Sequence, residues 1–169
     1  MQSAHELFLH GLSDILDGER QLVEALGKNA EQASDPQLKK AFEQHQQQTE
    51  QQVERLEEVF ESLGEEPEEV ECKGIKGLVE EHEEFAGEDP SPDILDIEST
   101  VGASKIERYE IAEYEALIRL SRMMKHTEAT RLLTQNLKEE QATLKKIEAF
   151  AKRLKPQNMG MEGKGKRAA

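Results

Sequence analysis

Four long stretches of this 169-residue chain repeat apolar residues at intervals of three and four, and each series is broken by polar residues where a helical core calls for leucine or valine. This double pattern is the strongest constraint on the fold. In the first stretch Leu9, Leu12, Leu16, Leu22, Val23 and Leu26 mark an inward face, and Glu19 stands among them. In the second, Leu38, Phe42, Val53, Leu56, Phe60 and Leu63 flank an inward run of His45, Gln48, Thr49 and Gln52. The third carries Glu107 and Glu110, three residues apart, on or beside a stripe of Val101, Ile111, Tyr114, Leu117 and Ile118. In the fourth, Glu140 replaces a leucine expected between Leu137 and Leu144. A buried carboxylate without a partner is costly enough that it protonates, finds a cation or coordinates a metal.

The boundaries of these stretches are written in cap residues. Ser3 and Glu6 form a capping box for a helix running to about Ala33, and Ser34-Asp35-Pro36 starts the next, with Asp35 as N-cap. That helix ends at Gly64. Residues 65 to 92 then read as an acidic turn, a short helix from the Cys72-Lys73-Gly74 segment to about Phe85, and a Gly/Asp/Pro/Ser connector. Such a segment returns the chain along the bundle, as the long crossover of ferritin-like folds does. Ser91 and Pro92 begin a helix reaching Met124, and Thr127 is the expected N-cap of the last, which ends at Pro156. The expectation is an all-α, ferritin-like four-helix bundle over residues 1–156, with a short extra helix in its crossover and a disordered Gly/Lys-rich tail over 157–169. Aromatic residues at 4% and the absence of Trp agree with helix over sheet.

Charge and cysteine content narrow the function. A formal net charge of −14 excludes a general binder of nucleic-acid backbones. No apolar run approaches the length of a membrane span, no signal-peptide pattern opens the chain, and the sole cysteine, Cys72, fits a reducing compartment, so a cytoplasmic protein is expected. Cys72 lacks a base for nucleophilic work, Met123 and Met124 read as core filler, and His5, His10, His82 and His126 as surface or cap residues.

Shifting the chain by about ninety-one residues lays Glu19 on Glu110, Thr49 on Glu140, Leu56 on Ile147 and Leu63 on Leu154. Two similar hairpins facing each other bring Glu19, His45, Glu107, Glu110 and Glu140 to one level. Carboxylates and an imidazole converging from four helices match the donor set of di-iron and di-manganese bundles. The competing reading is a buried ion-pair layer in which Arg20, Lys105 or Arg108 partners the acids. Tyr109 and Tyr114 are packing residues or redox-active phenols beside such a centre.

Several segments, in order, resemble the YciE/YciF-type ferritin-like stress proteins: Leu12-Ser13-Asp14 with Glu19-Arg20-Gln21-Leu22; Ala41-Phe42 and His45 with Thr49 and Gln52-Val53-Glu54-Arg55-Leu56; Cys72-Lys73-Gly74 with Gly77-Leu78; Glu107 with Tyr109-Glu110-Ile111-Ala112 and Tyr114; and Leu137 with Glu139-Glu140 and Ala142-Thr143. The resemblance spans residues 3 to about 155. It implies a ferritin-like bundle, a homodimer and a dinuclear iron or manganese site with Glu19, His45, Glu107, Glu110 and Glu140 as ligands, in a family linked to stress responses. Dioxygen or peroxide is the implied reactant. Family members commonly carry Glu where this chain has Gln48, which implies weaker occupancy of one metal position. The alternative is a non-catalytic, stress-induced interaction protein with a vestigial metal layer.

Overall fold

The structure is a computed structural model that describes residues 2–159, and among these it is all-helical. The helices are α1 (Ala4–Gln32), α2 (Pro36–Leu63), α3 (Lys73–Gly87), α4 (Pro92–Met123) and α5 (Thr127–Ala151). Their ends follow the cap residues. Ser3 Oγ accepts from Glu6 N–H, Asp35 accepts from the N–H groups of Gln37 and Leu38, and Gly64 closes α2 at φ 71°, a left-handed conformation that costs a Cβ-bearing residue about 1–2 kcal/mol.

Two boundaries differ from expectation. His126, not Thr127, is the N-cap of α5, and its ring stacks on Phe8 with centroids 5.9 Å apart. The last helix stops at Ala151, because the residue before Pro156 is driven out of helical geometry and the preceding turn frays. The tail expected from residue 157 falls mainly on 160–169, outside the described residues; Gln157 N–H is tied to Asp93 Oδ2 at 2.7 Å.

The four long helices bury two apolar clusters, one at each end. The first joins the start of α1 (Phe8, Leu12, Ile15, Leu16), the end of α2 (Leu56, Val59, Phe60), the end of α4 (Tyr114, Leu117, Ile118) and the start of α5 (Ala129, Leu132, Leu133). The second joins the opposite ends, with Leu22, Leu26, Leu38, Phe42, Ile106 and Phe150, and adds Cys72 and Ile75 of the crossover. Helices α1 and α5 therefore run one way and α2 and α4 the other, so the chain must travel the bundle's length between α2 and α4. Segment 65–72 does this along α1, held at every turn: Ser13 Oγ accepts from Glu68 N–H, Asp17 from Cys72 N–H, and Gln21 donates to Cys72 O. The return is completed by α3, which packs on α1 and α4.

Two inward assignments fail. Val101 is 49% exposed, and Met123, expected in the core, is 68% exposed. The buried face of α4 is instead Asp96, Ser99, Thr100, Gly102, Glu107, Glu110 and Ser121 with a few apolar residues, so hydrophobicity is a poor guide to its orientation. Asp96 accepts from Ser34 N–H, Ser34 Oγ–H and Asp35 N–H, which locks the α1–α2 corner onto α4.

Candidate metal centre

Between the two apolar clusters lies one polar layer. Glu19 of α1, His45, Thr49 and Gln52 of α2, Glu107 and Glu110 of α4, and Glu140 of α5 are all buried. All five ligand candidates are therefore in the interior, on the four long helices. One atom each of His45, Glu107 and Glu140 fall within 4.8 Å of one another. His45 Nε2 lies 3.3 Å from Glu107 Oε1 and 3.8 Å from Glu140 Oε2. Glu19 and Glu110 stand outside that trio yet interact with Glu140 and with each other.

The layer is short of hydrogen-bond donors. Both Glu107 oxygens, and Glu19 Oε2, Glu110 Oε2 and Glu140 Oε2, are buried without a partner; the His45–Glu107 approach is near enough for attraction but misaligned for a hydrogen bond. Native interiors rarely leave such atoms unpaired, and an ion is one of the standard explanations. The cations expected to neutralise the acids are elsewhere: Arg20 pairs with Glu57, Lys105 with Glu81 and Arg108 with Glu148, all on the surface. That competing ion-pair arrangement is not the one this chain adopts.

Burial and mutual repulsion set the protonation of the layer. Burial pushes the Glu19 carboxyl up to about 8, with the Glu140 charge adding to the rise while the Tyr114 hydroxyl opposes it. Glu107 and Glu110 are driven well above the ordinary carboxylate range, first by burial and then by neighbouring carboxylates. In the metal-free chain these shifts favour the protonated form of Glu19, Glu107 and Glu110. A metal ion held by His45, Glu107 and Glu140 would take the place of such protons, and the trio could hold one.

Donors that the sequence left unassigned support one side of the layer. Tyr114 O–H donates to Glu19, Asn136 donates to Tyr114 Oη at 3.0 Å, and Gln52 donates to Glu140. Arg55, buried, donates to Asn136 and to Glu139. Arg55 lies between Val53 and Leu56, and Asn136 four residues before Glu140, so both were legible as polar breaks in an apolar stripe. Of the histidines set aside, His5 and His10 are surface residues paired with Glu65 and Glu68, whereas His82 is buried against Glu98. Its surface assignment fails because α3 covers a face that α1 and α4 would otherwise expose. Cys72 is buried and its thiol pushed up to about 11 by burial, which leaves it inert as a nucleophile. Gln48 borders a cavity, with His45 and Thr143, between α2, α4 and α5.

The family described as Domain of unknown function (DUF892) matches residues 3–160. This chain belongs to the DUF892 family. Protein YciF of Escherichia coli (strain K12) is 35% identical over 144 residues, 85% of this chain and 87% of YciF. The crystal structure of the E. coli stress protein YciF superposes with a TM-score of 0.86 at 34% identity, covering 89% of this chain and 96% of that one. YcfI from Rhodopseudomonas palustris superposes with a TM-score of 0.85 at 40% identity, covering 88% and 94%. The DUF892 match and these two superpositions span the whole bundle, so the YciF-type resemblance extends to the full arrangement of helices around the polar layer. Among the described residues no helix is long and apolar enough to cross a membrane.

Proposed function

We propose that the polar layer is a ferritin-like, dinuclear iron or manganese centre serving a stress response, with dioxygen or peroxide as reactant. The observation that carries this reading is the five buried carboxylate oxygens without a donor, gathered between two dry clusters. His45, Glu107 and Glu140 would hold one ion, and Glu19 and Glu110 would contribute ligands to a second. A bound iron or manganese supplies electrons to the oxidant. The protein orients the ligands: Tyr114 fixes the Glu19 carboxyl, Gln52 fixes Glu140, and Asn136, itself held by Arg55, holds Tyr114. Leu22 and Ile106 on one side and Leu16 and Leu117 on the other exclude bulk water. The stress role rests on the description of the E. coli relative, and the assembly proposed with it is a cytoplasmic homodimer.

Elemental analysis of protein purified without chelators tests the reading. Iron or manganese is expected in the wild-type chain and is lost from Glu107→Gln, while Gln48→Glu raises occupancy. Absence of metal from the wild type, with its melting temperature unmoved by added ferrous or manganous ion, refutes it. That result favours the second reading, a metal-free interaction protein, which draws on the Arg55, Asn136, Tyr114 and Gln52 network because it satisfies part of the layer with protein groups alone.

A further inference from the structure

The metal reading uses His45 and four glutamates and leaves the buried His82, paired with the half-buried Glu98, without a role. His82 of α3 is 7% exposed, and its Nδ1 lies 2.5 Å from Glu98 Oε2 of α4. A carboxylate at Nδ1 retains the proton on that nitrogen and leaves Nε2 as an acceptor. His82 Nε2 is nonetheless buried with no hydrogen-bond partner.

His82 borders a cavity of about 50 Å³ between α1, α3 and α4, and His45 and Glu107 form part of its lining. One wall is thus the imidazole with the orphaned nitrogen and another is the edge of the metal layer. Between them the lining is mainly the apolar Leu22, Leu26, Val79 and Ile106, with Ser99, Asn29 and Gln32 as its polar members. At the surface Lys28 and Glu83, both lining residues, meet in an ion pair of 2.8 Å. A water-sized molecule needs roughly 10–15 Å³ of such space, so the cavity takes a few atoms and excludes any metabolite. Gly102, inside α4, keeps this room open: a Cβ there would meet only Glu98 Oε1, at 3.7 Å. Glycine in a helix interior costs stability relative to alanine, so its presence beside the cavity calls for a reason.

We propose that this cavity is the entry site by which a small neutral hydrogen-bond donor of the size and chemistry of hydrogen peroxide reaches the carboxylate layer, with His82, oriented by Glu98, as its docking residue. Apolar walls disfavour a hydrated cation or a free anion, whereas a neutral hydroperoxy group crosses them and donates to His82 Nε2. The destination rests on the metal reading above; the docking step does not.

The test uses metal-free, full-length protein with ¹⁵N-labelled histidine, titrated with hydrogen peroxide and followed through the imidazole resonances. The expected result is a saturable shift at His82, with His5 and His10 unmoved, that is abolished in Gly102→Leu. A shift that does not saturate, or that survives in Gly102→Leu, overturns the proposal, as does a cavity whose only occupant is a trapped water that peroxide leaves in place. Where Gly102→Leu does not fold, Ala25→Leu narrows the same cavity from α1 and carries the same outcomes. A role for His82 and Glu98 confined to tying α3 to α4 gives no saturable shift. Because no metal is present, failure here leaves the metal reading standing, and a chain that never binds metal still returns an answer.

Discussion

At the scale of single residues, the four buried glutamates are a cost that the fold carries with no lysine or arginine paired directly to them and only His45 close by. Glu110 is 1% exposed, has an unpartnered oxygen and faces the charges of Glu19, Glu140 and Glu107. A residue retained for stability should not be improved by removing its charge. Glu110→Gln is therefore expected to raise the melting temperature of metal-free protein at pH 8 by a few degrees, on the order of 1 kcal/mol for a chain of this length, while lowering metal content. Thermal unfolding with and without chelator checks both halves; a lower melting temperature in the metal-free variant would mean that Glu110 is structural. Asp96 behaves oppositely. Its carboxylate accepts three bonds from the α1–α2 corner, and Asp96→Ala leaves those donors unmatched, so a loss of about 2–4 kcal/mol is expected in urea unfolding.

At the scale of elements, the crossover decides how the bundle closes. The ladder of Ser13, Asp17 and Gln21 holds segment 65–72 on α1, and α3 then packs against α4, with Gly74 facing Tyr109. A Cβ at Gly74 would lie 2.5 Å from the Tyr109 ring, whose hydroxyl donates to Asp14 and sits 3.6 Å from Cys72 Sγ. Gly74→Ala is expected to cost about 1–3 kcal/mol by overpacking. The loss should be largely recovered in Gly74→Ala with Tyr109→Val, a non-additivity that a double-mutant cycle measures. Had the glycine served only helix termination, the two changes would add. The Cys72-Lys73-Gly74 segment was legible as the start of a short helix, but the reason for its glycine was not, since Tyr109 lies thirty-five residues away in sequence.

At the scale of the whole molecule, the layer links stability to pH and to metal. In the unfolded chain Glu19 ionises near 4.5, whereas in the folded, metal-free chain it holds its proton up to about 8. Between those values the unfolded state binds fewer protons, so metal-free stability falls as pH rises from about 4.5 to about 8 and then levels for this group. Glu107 and Glu110, raised in the same direction, steepen the fall. Chelated protein should therefore melt lower at pH 8 than at pH 5, and metal should restore the loss most at the higher pH, where fewer protons compete for the oxygens; equal melting temperatures at both pH values would contradict it. The number of helices, the caps of the first two and the break in each apolar series were readable along the chain, because helical periodicity, cap chemistry and the cost of a buried charge act within a few residues. The orientation of α4 was misjudged at Val101, because its buried face is made of serine, threonine, glycine and acids that no hydrophobic pattern marks. Which cations stay on the surface, which partners Arg55 and Asn136 find in the interior, and that His82 is covered by α3 were decided only in three dimensions. Each depends on how distant helices pack, and packing sets which polar groups lose water and which find a partner.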